Sequence, residues 1–151
     1  MAINFIYSLR GVPLTMLRKT IIITALSGAF AVVLGAMGAH AVKNLISAED
    51  LAVYNKAVLY QFLHAPMILM MGLLSKIQFH KTLQYAVRCF VLGTILFSGS
   101  LYLLAFRNTI DLGVLVSILG PITPIGGLLF IAGWISLLVY GLKHSKNVGT
   151  I

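Results

Sequence analysis

Four apolar runs without a single Asp, Glu, Lys or Arg dominate this 151-residue chain, at about 21–39, 57–75, 89–106 and 124–142. Each is close to the ~20 residues a helix needs to cross the hydrocarbon of a bilayer. Inside hydrocarbon every backbone N–H and C=O must be satisfied within the protein, and a single helix does this within its own segment. The runs therefore predict an all-α, polytopic membrane protein: a bundle of four transmembrane helices in one domain, residues 18–146. Residues 147–151 form a short C-terminal tail. Residues 1–17 hold Arg10, Gly11 and Pro13 and are too broken to span. Two readings stay open for them, a tail on the membrane surface or an extension upstream of a start at Met16.

Charge agrees with this. Only 9% of the residues are charged, against about 25% in soluble domains. The formal charge of +8 arises from 11 basic and 3 acidic residues. The basic residues stand singly between apolar runs and lack the basic–aromatic patterning of a nucleic-acid groove, so the expected surroundings are lipid and no nucleic acid. Eight of the 11 Lys and Arg residues lie in the N-terminal tail, the 75–88 loop and the C-terminal tail. The two other loops carry the remaining basic residues and all the acids, Glu49, Asp50 and Asp111. Excess Lys and Arg stay cytoplasmic, so the chain is expected in a bacterial cytoplasmic (inner) membrane with both termini inside. Tyr54, Tyr60 and Tyr102 toward the outer boundary, with Tyr85 and Tyr140 toward the inner one, fit an aromatic belt.

Local signals refine the spans. Ala39-His40-Ala41 imitates a signal-peptidase site, but the run before it exceeds the ~7–15 residues of a signal-peptide core, so a retained helix is expected. Ser27, Ala31, Gly35 and Ala39 recur every four residues and form a small-residue ribbon that lets another helix approach closely. Ser47 and Asp50 have capping-box spacing at the start of the second helix, where Glu49 and Asp50 also suit the helix dipole. Pro66 cannot donate to the carbonyl of Phe62. Residues 112–142 are too long for one upright span. Gly120-Pro121 and Thr123-Pro124 predict a break, with Thr123 as N-cap and Pro124 at the first helical position. Leu112–Leu119 then becomes an apolar cap, an interfacial piece or a re-entrant segment.

The residues limit the chemistry. Proton-coupled carriers place a carboxylate within the membrane, and all three acids here lie in loops. His40 sits at the end of the first span and His64 roughly 10 Å deeper at 1.5 Å per residue, a poor match for one shared iron. Cys89 is the only cysteine, which leaves no cysteine metal cluster and reads as a small apolar residue. No catalytic, metal-binding or cofactor-binding residue is expected, and no cofactor. What remains is a candidate intramembrane polar layer of Gln61, His64, Ser98, Ser100 and Trp134, in which His64, Ser98, Ser100 and Trp134 lie about 10–15 Å from the outer boundary. His64 and Gln61 are expected to point into the bundle and bond Ser98, Ser100 or trapped water. Two functions follow. One is a non-enzymatic bundle that assembles with, or stabilises, another membrane component, as a membrane-protein partner or a second copy. The other is a passive binder or conduit for a small neutral molecule, lipid or quinone around His64. The small-residue ribbon and absent charges point to the first.

Four stretches, taken together, carry a resemblance. They are Gly35-Ala36-Met37-Gly38-Ala39-His40; Tyr60-Gln61 with His64-Ala65; Phe97-Ser98-Gly99-Ser100-Leu101-Tyr102; and Thr123-Pro124-Ile125-Gly126-Gly127 with Ala132-Gly133-Trp134. The chain resembles the domain-of-unknown-function 423 family of small inner-membrane proteins, which has relatives among eukaryotic transmembrane proteins. The resemblance spans roughly residues 16–142 and implies a four-span membrane protein without an assigned activity or ligand. The N-terminal extension, Pro66 and a longer 107–120 connection depart from the family's usual pattern.

Overall fold

Ser47 starts the second helix as its spacing predicts. Its Oγ accepts from the Asp50 N–H at 3.1 Å, and it donates to Asp50 Oδ2 at 3.0 Å. The Asp50 carboxylate thus meets the cap through the Ser47 hydroxyl, where a reciprocal box would use the Ser47 backbone N–H. The computed structural model describes residues 14–144. Within them are four long helices: α1 (Leu14–His40), α2 (Ala48–Ile77), α3 (Lys81–Leu104) and α4 (Leu115–His144). All four are long and apolar enough to cross a membrane. The expectation of a surface tail or later start falls mostly on residues 1–13, outside the described range. Residues 14–17 already belong to α1.

The helices pack in chain order. α1 lies on α2, α2 on α3 and α3 on α4, while α1 and α4 are not packed against each other. The small-residue ribbon of α1 serves this first seam. Ala31 is buried, a Cβ on Gly35 would stand 3.4 Å from Val58, and one on Gly38 would stand 2.9 Å from the Tyr54 ring. Ala39 is exposed, and Gly38 takes its place in the seam. Pro66 does not end α2. Its neighbour Ala65 offers its carbonyl to the Thr24 hydroxyl at 3.0 Å, which pins α1 beside the proline.

The α3–α4 seam is built from reciprocal Phe–Gly contacts. A Cβ on Gly93 of α3 would stand 2.7 Å from the Phe130 ring of α4, and one on Gly133 of α4 would stand 2.6 Å from the Phe90 ring of α3. A Cβ on Gly126 would run into the Phe97 backbone nitrogen. Phe90 and Phe130 join Ile68, Met71, Leu83 and Ala86 in the main core cluster. Within α3, residues Thr94–Ser98 form a π-helical turn. This wider turn carries the backbone of Phe97 that rests on Gly126.

The break expected at 120–124 is absent. α4 begins at Leu115 and runs through Pro121 and Pro124, so Leu115–Leu119 are its first residues. Thr123 is an interior residue whose hydroxyl donates to the Leu119 carbonyl at 3.2 Å, so it does not cap the helix. Gly120 has nothing within 4 Å of a Cβ position, and Ser100 meets Thr123 from α3 at 2.7 Å. Membrane helices tolerate interior proline of this kind. The turn before α4 is set by Gly113, at φ 48, whose N–H donates to Asp111 Oδ1 at 3.0 Å.

Candidate functional site

His64 lies on the inward face of α2, only 5% exposed. Its Nδ1 stands 2.8 Å from the Tyr60 carbonyl, and its Nε2 stands 3.4 Å from Trp134 Nε1 on α4. A carbonyl can only accept and an indole N–H can only donate. The imidazole is therefore the neutral tautomer with the proton on Nδ1 and a lone pair on Nε2. Phe130 stacks on its face with ring centroids 3.6 Å apart and planes 9° from parallel. Phe90 and Tyr60 stand around it with centroids at 5.5 Å and 6.0 Å. The carbonyl His64 uses is that of Tyr60, not the one Pro66 leaves free at Phe62.

Beside this ring lies a groove of ≈ 530 Å³. Tyr60, His64, Phe97 and Phe130 line it from within, Pro124 and Gly127 form part of the α4 wall, and Leu128, Ile131 and Trp134 complete the lining. Those last three are exposed, so the groove opens on the outer surface of the helix layer, where lipid would stand. It has the size of a small-molecule site, for which ~300–1,000 Å³ is usual, and it shares the pattern of an apolar wall with few polar groups. The polar groups of its lining side chains are the imidazole of His64, the indole N–H of Trp134 and the phenol of Tyr60.

Of the expected layer, Trp134 meets His64, and Gln61, Ser98 and Ser100 do not. Gln61 bridges three helices: its Nε2 donates to the Ser27 carbonyl of α1 at 2.9 Å, and its Oε1 accepts from Tyr102 of α3 at 2.9 Å. Ser100 bonds the Phe97 carbonyl at 3.0 Å and Thr123 at 2.7 Å. The Ser98 hydroxyl is buried in the π turn without a hydrogen-bond partner. The expected bonds from His64 or Gln61 to Ser98 or Ser100 are thus replaced by three separate groups. Tyr54 and Tyr102 also depart from the belt reading. Tyr54 is 2% exposed and donates to the Leu34 carbonyl at 2.8 Å, and the two rings meet edge-on at 5.2 Å. Tyr85 is exposed, in keeping with an interfacial position. His40 is exposed at the end of α1, and Gly99 faces open space.

Sequence reasoning missed a charged centre at the far end of α2. Asp50 has a side chain 1% exposed, and Arg107 reaches its Oδ1 at 3.2 Å and the exposed Glu49 at 3.7 Å. Asn108 donates to Asp50 Oδ2 at 2.9 Å. The Asn108 amide, the Ser47 hydroxyl and the Arg107 charge hold the Asp50 carboxyl below its usual pKa, against the opposing effect of burial. Asp50 precedes the apolar run of 57–75. The signal was present: Arg107 is the only cation in its loop, and the acids lie at the same boundary. Among the described residues no group of three His, Cys, Asp or Glu side chains could hold a metal.

Four apolar helices with a groove open to lipid define a polytopic membrane protein. The chain belongs to the family described as "Protein of unknown function (DUF423)", whose pattern matches residues 34–127. A UPF0382 membrane protein of Haemophilus influenzae is 38% identical over 133 residues, covering 88% of this chain and 100% of the relative. UPF0382 membrane protein SSP2132 of Staphylococcus saprophyticus is 40% identical over 123 residues, covering 82% and 96%. The UPF0382 inner membrane protein YgdD of Escherichia coli K12 is 32% identical over 130 residues, covering 86% and 94%. No solved structure matches the chain.

Proposed function

We propose that this protein is a non-enzymatic binder of a small neutral molecule taken from the bilayer, held in the groove beside His64. The observation that carries the reading is the pairing of an aromatic wall with one acceptor and one donor at its edge. The Phe130–His64 stack offers a flat surface. The Trp134–His64 contact is long at 3.4 Å, beyond the usual 2.7–3.2 Å of an N–H hydrogen bond. A hydroxyl of an incoming molecule, as on a quinol, matches the Nε2 lone pair, and a carbonyl matches the indole N–H. No charge need be desolvated, which suits a neutral isoprenoid, quinone or lipid ring.

The test is mass spectrometry of the full chain purified with native lipid. A stoichiometric neutral molecule that is lost in Gly127→Leu, which fills the groove, supports the reading. An equal load of that molecule in wild type and variant, or none in wild type, overturns it.

A second reading has the protein assembling with another membrane component. What supports it is that α1 and α4 are not packed on each other and carry Leu26, Phe30, Leu128 and Leu138 exposed. The small-residue ribbon no longer argues for it, because α2 already occupies that seam. A protein that co-purifies at fixed ratio, with no small molecule, would favour this reading.

A further inference from the structure

A second cleft, of ≈ 280 Å³, lies at the opposite end of the molecule from Asp50, between the first turns of α1 and the first half of α3. α1 and α3 are not packed on each other, so a gap stays open between them above α2. Lys19 of α1 and Arg88 of α3 line it together with Thr15 and Gln84, and Ile23 and Val87 continue it as an apolar wall. Lys19 and Arg88 are both exposed. Arg88 rests its guanidinium 5.9 Å from the Tyr85 ring centroid. Among the described residues neither cation has a carboxylate within ion-pair distance, since both ion pairs belong to Arg107.

Among the described residues no acidic side chain lies near the cleft to supply a counter-charge. The chain's three acids are Glu49, Asp50 and Asp111, and all of them lie at the other end, beside the α1–α2 connection and the start of α4. Two cations from different helices therefore face one cleft with hydroxyl and amide donors beside them and an apolar wall beyond. Basic clefts between transmembrane helices at the membrane surface suit anionic lipid head groups. We propose that this cleft binds the phosphate of an anionic glycerophospholipid. Lys19 and Arg88 pair with the phosphate oxygens, Thr15 and Gln84 donate to them, and an acyl chain follows Ile23 and Val87. This does not rest on the groove at His64, which lies on another face and takes an uncharged molecule.

The experiment uses the full chain in detergent, titrated with phosphatidylglycerol or phosphatidylcholine and read by native mass spectrometry. Wild type should retain phosphatidylglycerol preferentially. Each cation near an anionic head group is worth roughly fivefold in affinity, so K19Q and R88Q should each weaken retention by about that factor and the double variant by more. R18Q/K76Q removes two cations from the same end but outside the cleft and should bind as wild type. Val87→Trp keeps both cations and fills the cleft, so it should also lose the lipid, which separates a built site from a basic surface. Equal retention by K19Q/R88Q and wild type overturns the proposal, as does equal loss in R18Q/K76Q. Saturable binding of inorganic phosphate that displaces the lipid would assign the cleft to a soluble phosphate and overturn the lipid reading. A K19Q/R88Q chain that fails to fold leaves Val87→Trp as the deciding arm.

Discussion

Phe130 of α4 lies parallel on the imidazole of His64 of α2, 3.6 Å between centroids, while the backbones of these two helices stay apart. The two helices meet through rings, and the groove is the space left beside them. His64 makes one bond within its own helix and one long bond to Trp134. Side-chain hydrogen bonds between membrane helices average only about 0.6 kcal/mol. His64→Leu should therefore change thermal stability in detergent by about 1 kcal/mol or less, while removing any molecule that needs the Nε2 lone pair. A large drop in melting temperature would mean that the imidazole is a structural keystone instead.

Gly126 is a stricter position. Its Cβ would meet the backbone of Phe97, which cannot rotate away as a side chain can. Gly126→Ala should destabilise the α3–α4 seam by about 1–3 kcal/mol, the usual cost of overpacking. Gly99→Ala is the control, because nothing stands within 4 Å of its Cβ position. It should be neutral or stabilising by up to about 1 kcal/mol, from helix propensity. Thermal melts of the two variants side by side decide this, and equal behaviour would contradict the seam.

The Asp50 centre predicts acid sensitivity. The folded carboxyl titrates below its unfolded value because Asn108, Ser47 and Arg107 stabilise the ionised form. Its contribution is fully present above the unfolded pKa of about 3.9 and is lost as pH falls through the lower folded value. The melting temperature should decline below about pH 4. Asp50→Asn should be less stable at neutral pH and show a shallower acid decline. An unchanged decline in the variant would assign the effect to another group.

How much of this was legible in the chain depends on the range of the interaction. The four spans follow from uncharged length alone, and the Ser47 cap from a three-residue spacing. The α4 start did not follow, because Pro121 and Pro124 read locally as breakers. Both prolines nevertheless lie inside α4, next to a Ser100–Thr123 bond across the α3–α4 seam, a tertiary contact that no local rule sees. The layer around His64 was read from depth along each span, and depth does not fix rotation. Ser98 and Ser100 lie on or beside the π turn, which shifts their direction, so Ser100 found Thr123 and Gln61 found Tyr102. The Phe–Gly pairs were visible only as small residues without their partners.

Orientation can be checked at two exposed positions. In a Cys89→Ser background, a cysteine at Thr109, exposed in the α3–α4 connection, should react with an impermeant maleimide in intact cells. One at Lys143, exposed at the end of α4, should react only after lysis. The basis is that eight of the 11 Lys and Arg residues fall within 1–19, 76–88 and 143–151 of the sequence, which favours retention of those segments in the cytoplasm. The reverse pattern would invert the topology and leave the packing untouched.

Gln61 is predicted to be the most costly polar residue of the interior to replace. It is 7% exposed, and it satisfies Tyr102 on α3 and the Ser27 carbonyl on α1 at once. Gln61→Leu leaves the Tyr102 hydroxyl without its acceptor, and a buried unsatisfied hydroxyl costs about 1–3 kcal/mol. Tyr102→Phe removes that hydroxyl and leaves only the Gln61 carbonyl oxygen unpaired. The double variant should then be less destabilised than the sum of the two single changes, with a coupling of about 0.6 kcal/mol and no more than about 1.7 kcal/mol. Strict additivity in thermal or chemical unfolding would show that Gln61 and Tyr102 do not bond in the folded protein.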